Sequence, residues 1–264
     1  MLLNSVIIVL REVLEAALIF SILLALSKQS QIHRTWIIWS LLIGMFGAVV
    51  YGINIPLVSE WFDGVGQEVV NALMQYTVYI MLLFYIIILL LYASKPAAGA
   101  RKLLVIMMVL ITSIAMIREG AEILLYFFSV TRSVNHYAAV MMGMIIGASI
   151  GISIGFLFYY LLMNIREKWS MIFGLGLLIL VSSGMISQAT LLMIQADWLP
   201  AQMPLWNTSD FLSEKSVLGQ LLYALVGYEA TPTALQASMY LGGLILPVFI
   251  IVLLKLKLKL KFKG

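Results

Sequence analysis

Apolar positions come in seven long runs divided by short polar breaks, at about 2–27, 35–56, 73–94, 103–129, 138–163, 170–195 and 233–254. Each reaches the roughly 20 residues a helix needs to cross the hydrocarbon core of a bilayer. The first run is interrupted by Arg11, Glu12 and Glu15, has no basic start, and leads to no small-residue cleavage site. It therefore reads as a helix of the mature protein and not as a signal peptide. The stretch 216–228 is apolar but too short to span, and is expected along the outer interface or over the helix ends. The pattern predicts an all-α, polytopic membrane protein with seven transmembrane helices in a single domain, 1–264.

Composition narrows the function. Of 264 residues, 63% are apolar and 11% charged, against about 25% charged in soluble domains, so a water-soluble enzyme is excluded. There is no Cys, hence no disulfide framework, thiolate metal site or cysteine nucleophile. His33 and His136 are the only histidines, and both fall at the edges of runs. No nucleophile–base set and no cofactor motif is legible, so no enzymatic activity and no cofactor are expected.

The net charge of +4 is explained by topology. Lys28, Arg34, Lys95, Arg101, Lys102, Arg166, Lys168, Lys255, Lys257, Lys259, Lys261 and Lys263 fall on one side of the spans, and Arg132 and Lys215 on the other. The basic side is cytoplasmic by the positive-inside rule, which puts the N-terminus outside and the C-terminus in the cytoplasm, with no role for nucleic acid. The alternating lysines of 255–263 read as a stop-transfer anchor whose side chains snorkel to the lipid headgroups; docking to anionic lipid is the sharper alternative.

Arg11-Glu12-Val13-Leu14-Glu15 in run one and Arg118-Glu119-Gly120-Ala121-Glu122 in run four repeat an R-E-x-x-E signature 107 residues apart. The same offset carries Ser40, Gly44 and Ala48 onto Gly147, Gly151 and Gly155, a small-residue ridge that Gly143 extends. Such ridges let membrane helices approach closely. Three spans separate the copies, so the two halves run in opposite senses: an inverted repeat with its site near mid-membrane. Repeat one covers about 1–94, repeat two about 101–195, followed by an outer loop at about 196–232 and a last helix at about 233–254. The sixteen Met residues, Met107, Met108, Met141, Met142 and Met144 among them, read as adaptable core filler rather than a thioether site.

Six charged groups at the membrane centre would cost about 15 kcal/mol uncompensated. At about 100° per residue, Arg, first Glu and second Glu fall within one 100° stripe of their helix. If the two stripes face each other, four carboxylates converge with an arginine available to each pair, leaving a formal charge of −2 to be balanced by a cation or by protons. Carboxylate oxygens suit hard cations: Mg, Ca, Mn or iron. Register-fixing ion pairs with protonated glutamates, or a proton relay, are the competing readings of the same spacing.

The doubled R-E-x-x-E resembles the signature of the oxidase-dependent iron permease family, usually R-E-G-L-E. Gly227-Tyr228 with Pro232, Thr233 and Gln236 resembles a G-Y-x-x-x-P-[ST]-x-x-Q pattern near that family's last helix. The resemblance implies iron import across the cytoplasmic or plasma membrane, with iron as transported substrate, Glu12, Glu15, Glu119 and Glu122 as its ligands, and Arg11 and Arg118 tuning or pairing them. It also implies a partner, an extracytoplasmic oxidase or iron-delivery protein, since no metal-capturing domain is legible in the chain. The alternatives are a proton-coupled carrier of another hard divalent cation and a non-transport membrane subunit scaffolding a redox partner.

Overall fold

Each apolar run folds as a helix in the computed structural model, which describes residues 2–94, 96–131, 137–214 and 216–261. Lys95, Arg132, His136, Lys215 and Lys263, and the side chains of Lys257, Lys259 and Lys261, lie outside the described residues. The helices are α1 (Leu2–Gln29), α2 (Thr35–Ser59), α3 (Gly66–Ser94), α4 (Ala98–Thr131), α5 (Tyr137–Asn164), α6 (Glu167–Gln195), α7 (Val217–Val226) and α8 (Ala234–Lys261). Helix α3 starts well before its apolar run, because the polar turn at Gln67 and Glu68 continues the helix.

Six helices among the described residues, α2 to α6 and α8, are long and apolar enough to cross a membrane. The sequence pattern anticipates seven. Helix α1 has the length, 28 residues, but Arg11, Glu12 and Glu15 in its middle take it out of the apolar class.

The helices pair across the sequence halves. Helix α1 packs along α5, α2 along α4 and α3 along α6, while α1 also meets α4 and α8 covers α6. Gly143 lies against Ser5 and Gly155 against Ala17, so α1 and α5 run parallel; Gly44 lies against Met116 and Gly52 against Leu124, so α2 and α4 do too. The small-residue ridges are the buried faces of these pairs: Ser40, Gly44, Ala48 and Gly52 on α2, and Gly143, Gly147, Gly151 and Gly155 on α5. The methionines share no single environment, Met108 being fully buried and Met142 58% exposed.

Helix α7 departs from expectation. It packs against α1 and α6 and ends at Gly227, whose backbone touches that of Gly184, near the middle of α6. It thus descends into the bundle instead of lying along the outer surface. Gly227 closes the helix at φ 65°, donating its N–H to the Tyr223 carbonyl at 2.9 Å, the left-handed cap that glycine adopts without strain. The chain then turns back. The Tyr228 hydroxyl donates to the Leu212 carbonyl at 2.9 Å. Thr233 and Gln236 exchange bonds, Gln236 N–H to Thr233 Oγ1 and Thr233 N–H to Gln236 Oε1, a reciprocal capping box that starts α8. The Gly-Tyr, Thr and Gln positions of the C-terminal pattern therefore each have a structural task.

Candidate metal centre

Helices α1 and α4 meet at their charged stripes, burying Glu12, Glu15, Arg118 and Glu119 to 5% exposure or less. One carboxylate oxygen from each of Glu12, Glu119 and Glu122 lies within 4.8 Å of the others. Hard cations hold oxygens at about 2.0–2.6 Å, so two oxygens on opposite sides of one ion stand up to about 5 Å apart. The triad has the spacing to share one ion. Glu12 and Glu119 each keep one buried oxygen, Oε2, without a hydrogen-bond donor. The Glu122 side chain is the more open, 27% exposed.

The symmetric arrangement expected from the sequence, four converging carboxylates with one arginine per pair, is not what the packing gives. Three carboxylates converge and Glu15 stands apart, bridging the two arginines: Arg11 Nε donates to its Oε1 at 3.2 Å and Arg118 Nη1 to its Oε2 at 3.4 Å. Arg118 is the hub, also paired with Glu119 and, at 3.3 Å, with Glu122. Arg11 lies at the edge, 31% exposed, with its guanidinium 4.1 Å from the centre of the Tyr223 ring on α7, a cation–π contact. The asymmetry lies on α1: Glu12 joins Glu119 and Glu122, while Glu15, about 60° round the helix from it, is held by Arg11 and Arg118.

Three further residues shape the site without standing out in the sequence. Asn71 of α3, 3% exposed, donates to Glu122 Oε1 at 3.2 Å, and the Tyr51 hydroxyl donates to Asn71 Oδ1 at 2.9 Å. Tyr223 is the third. Asn71 lies two residues ahead of the third apolar run, among the polar residues of that connection, and nothing separates Tyr51 or Tyr223 from the other ten tyrosines. His33 is exposed at the start of α2, away from the cluster, as anticipated. Removing the Tyr51 hydroxyl leaves the Asn71 carbonyl unpaired and frees the amide to rotate away from Glu122. Tyr51→Phe is expected to weaken equilibrium metal binding by about tenfold, the scale of outer-shell losses; unchanged affinity by titration would refute it.

In the loop between α7 and α8, Glu229 Oε2 accepts from Gln236 Nε2 at 2.6 Å. Burial, and then the charge of Glu214, push its carboxyl up to about 7, with Arg11 pulling the other way. The folded value lies above the unfolded one of about 4.3, so the stabilisation is full below about 4.3 and lost as pH rises through about 7. Thermal melts between about pH 5 and pH 8 are expected to show wild type falling behind Glu229→Gln as pH rises. Parallel curves would contradict this.

A helical bundle with an acidic cluster buried where two of its long helices meet belongs to an integral, multi-pass membrane transport protein. The particular kind follows from comparison: the profile of the iron permease FTR1 family matches residues 2–261, and the chain belongs to that family. Relatives include the ferrous iron permease EfeU of Yersinia pestis, 26% identical over 250 residues covering 88% of this chain and 87% of that protein. The ferrous iron permease EfeU of Yersinia pseudotuberculosis serotype I (strain IP32953) is also 26% identical, over 88% of this chain and 86% of its own length. No solved structure matches the chain.

Proposed function

We propose that this iron permease imports iron, taking the ion at Glu12, Glu119 and Glu122, with Glu15 and the two arginines holding the triad in place. The convergence of three carboxylate oxygens from α1 and α4 deep between apolar helices carries the reading. Four glutamates and two arginines leave a formal charge of −2, which one doubly charged ion neutralises. Ion pairs alone would serve no better than leucines at this depth, so a permanently metal-free cluster has no stability rationale.

In this reading α1 is the seventh span, its charges tolerated because they face α4 and each other. The halves are inverted three-helix repeats: the first helix of each lies along the second helix of the other, and the third helices face each other, as a two-fold exchange requires. The distribution of Lys and Arg supports an N-terminus outside and inward transport. The relatives' name, ferrous iron permease, favours Fe(II) at the site; the extracytoplasmic oxidase or delivery protein implied by the sequence resemblance is the proposed partner. The test is a flux assay on protein reconstituted in liposomes, with Fe(II), Fe(III), Mn(II) and Zn(II) offered separately. Saturable iron accumulation is expected. Absence of any metal flux would reject the reading, and proton uptake without metal would favour a relay through the same glutamates.

A further inference from the structure

The charges around the triad do not cancel. Four carboxylates, Glu12, Glu15, Glu119 and Glu122, stand against two guanidiniums, Arg11 and Arg118, which leaves −2. A doubly charged ion brings the cluster to zero; a triply charged ion takes it to +1. On insertion scales one leftover charge at the membrane centre corresponds to about a hundredfold in an equilibrium constant. Any group in contact with the triad therefore helps to decide which ionic charge it can hold.

One such group is neutral. Asn71 of α3 is 3% exposed. Among the described residues it is the only uncharged side chain that hydrogen-bonds a triad carboxylate, its Nδ2 donating to Glu122 Oε1 at 3.2 Å. The amide is oriented from its other end. The Tyr51 hydroxyl donates to Asn71 Oδ1 at 2.9 Å, so the carbonyl oxygen is engaged by Tyr51 and the N–H end is turned to Glu122. Asn71 thus offers the site a donor and no charge.

Asparagine and aspartate have nearly the same shape. A carboxylate oxygen in the place of Nδ2 would stand 3.2 Å from Glu122 Oε1, well inside the roughly 5 Å that can separate two oxygens on one hard cation. Tyr51 would still have an oxygen to donate to, and the cluster would carry −3. One side chain of unchanged size thus separates a cluster that a divalent ion neutralises from one that a trivalent ion neutralises.

We propose that Asn71, oriented by Tyr51, sets the permease's preference for divalent over trivalent metal ions. This rests on the metal reading given above and adds to it the ionic charge selected and the residue that selects it. Asn71 acts through Glu122 and through the absence of a charge, as a positioning residue beside the ion.

The experiment is equilibrium binding to the full chain in phospholipid nanodiscs, with two redox-inert probes, Mn(II) and citrate-buffered Ga(III). The readout is the ratio of their affinities, which a purely structural loss does not move. Wild type should favour Mn(II). Asn71→Asp should shift the ratio towards Ga(III) by at least about a hundredfold, the scale of one intramembrane charge. Asn71→Leu removes the amide without adding charge, so Mn(II) should bind about tenfold more weakly at a ratio within about threefold of wild type. Adding Glu15→Gln to Asn71→Asp returns the cluster to −2 and should bring the preference back to Mn(II). Should Asn71→Asp fail to insert, Arg11→Gln reports instead, since it reaches −3 from the exposed edge of the cluster and should shift the ratio the same way. A wild type that favours Ga(III), an unmoved ratio in the −3 variant, or an equal shift in Asn71→Leu would each overturn the proposal. The two readings fail differently. Wild type binding neither Mn(II) nor Fe(II) would sink the metal site itself, whereas tight Mn(II) binding at a ratio indifferent to position 71 would sink this assignment alone.

Discussion

Glu12→Gln and Glu119→Gln are each expected to reduce iron accumulation by at least about a hundredfold, beyond the 10–100-fold typical of outer-shell changes, while the protein inserts and melts no lower than wild type. Glutamine keeps the shape and one acceptor oxygen but removes the charge that a hard cation requires. The same substitution relieves repulsion among three carboxylates packed within 4.8 Å, so stability should hold or rise, as it does where a site is strained for function. Arg118→Met inverts the pattern. It takes the cation away from Glu119 and Glu122 and leaves Glu15 with Arg11 alone, and breaking a buried pair costs about 3–5 kcal/mol. Glu15→Gln separates the triad from its support: it unlocks both arginines yet leaves all three triad oxygens, so metal affinity should fall less than in Glu12→Gln. Radio-iron uptake, metal titration and melting on the same four variants decide it. Wild-type uptake in Glu12→Gln and Glu119→Gln would remove the metal assignment.

The legible part of this site was the part that helix geometry alone determines. An i, i+1, i+4 spacing places Arg11, Glu12 and Glu15 on one stripe whatever surrounds them, and the 107-residue offset repeats that stripe on α4. The ridges Ser40-Gly44-Ala48 and Gly147-Gly151-Gly155 were legible for the same reason: one face, one period, small side chains. What was not legible depends on contacts between distant segments. Which α1 glutamate joins the α4 pair is set by how the two helices cross, a quantity absent from either stripe. The descent of α7 depends on Gly227 meeting Gly184, two unremarkable glycines 43 residues apart. Stacking of Tyr223 on Arg11 is a consequence of that descent, and the Tyr51–Asn71–Glu122 chain needs three helices placed correctly.

A second large loss of stability is expected at the ridge. A Cβ at Gly147 would stand 2.5 Å from the Val6 carbonyl oxygen and 3.0 Å from the Leu10 nitrogen. Both are backbone atoms of α1, so no rotamer change can relieve the clash; the helices must separate. The α1–α5 contact is a long one, with Gly143, Gly147, Gly151 and Gly155 all against α1, and α1 carries half the acidic cluster. Gly147→Val, which adds β-branching to the Cβ, should therefore cost more than the 1–3 kcal/mol typical of overpacking and also move Glu12 away from Glu119. Gly176 in α6 is the control, having no atom within 4 Å of its added Cβ. Gly176→Ala should be neutral or stabilising by up to about 1 kcal/mol, the helix-propensity difference. Detergent melts with parallel metal titration should show Gly147→Val losing both stability and affinity and Gly176→Ala neither. Equal melting of the two would mean that α1 and α5 do not meet along this ridge, and the placement of α1's glutamates opposite α4 would lose its support.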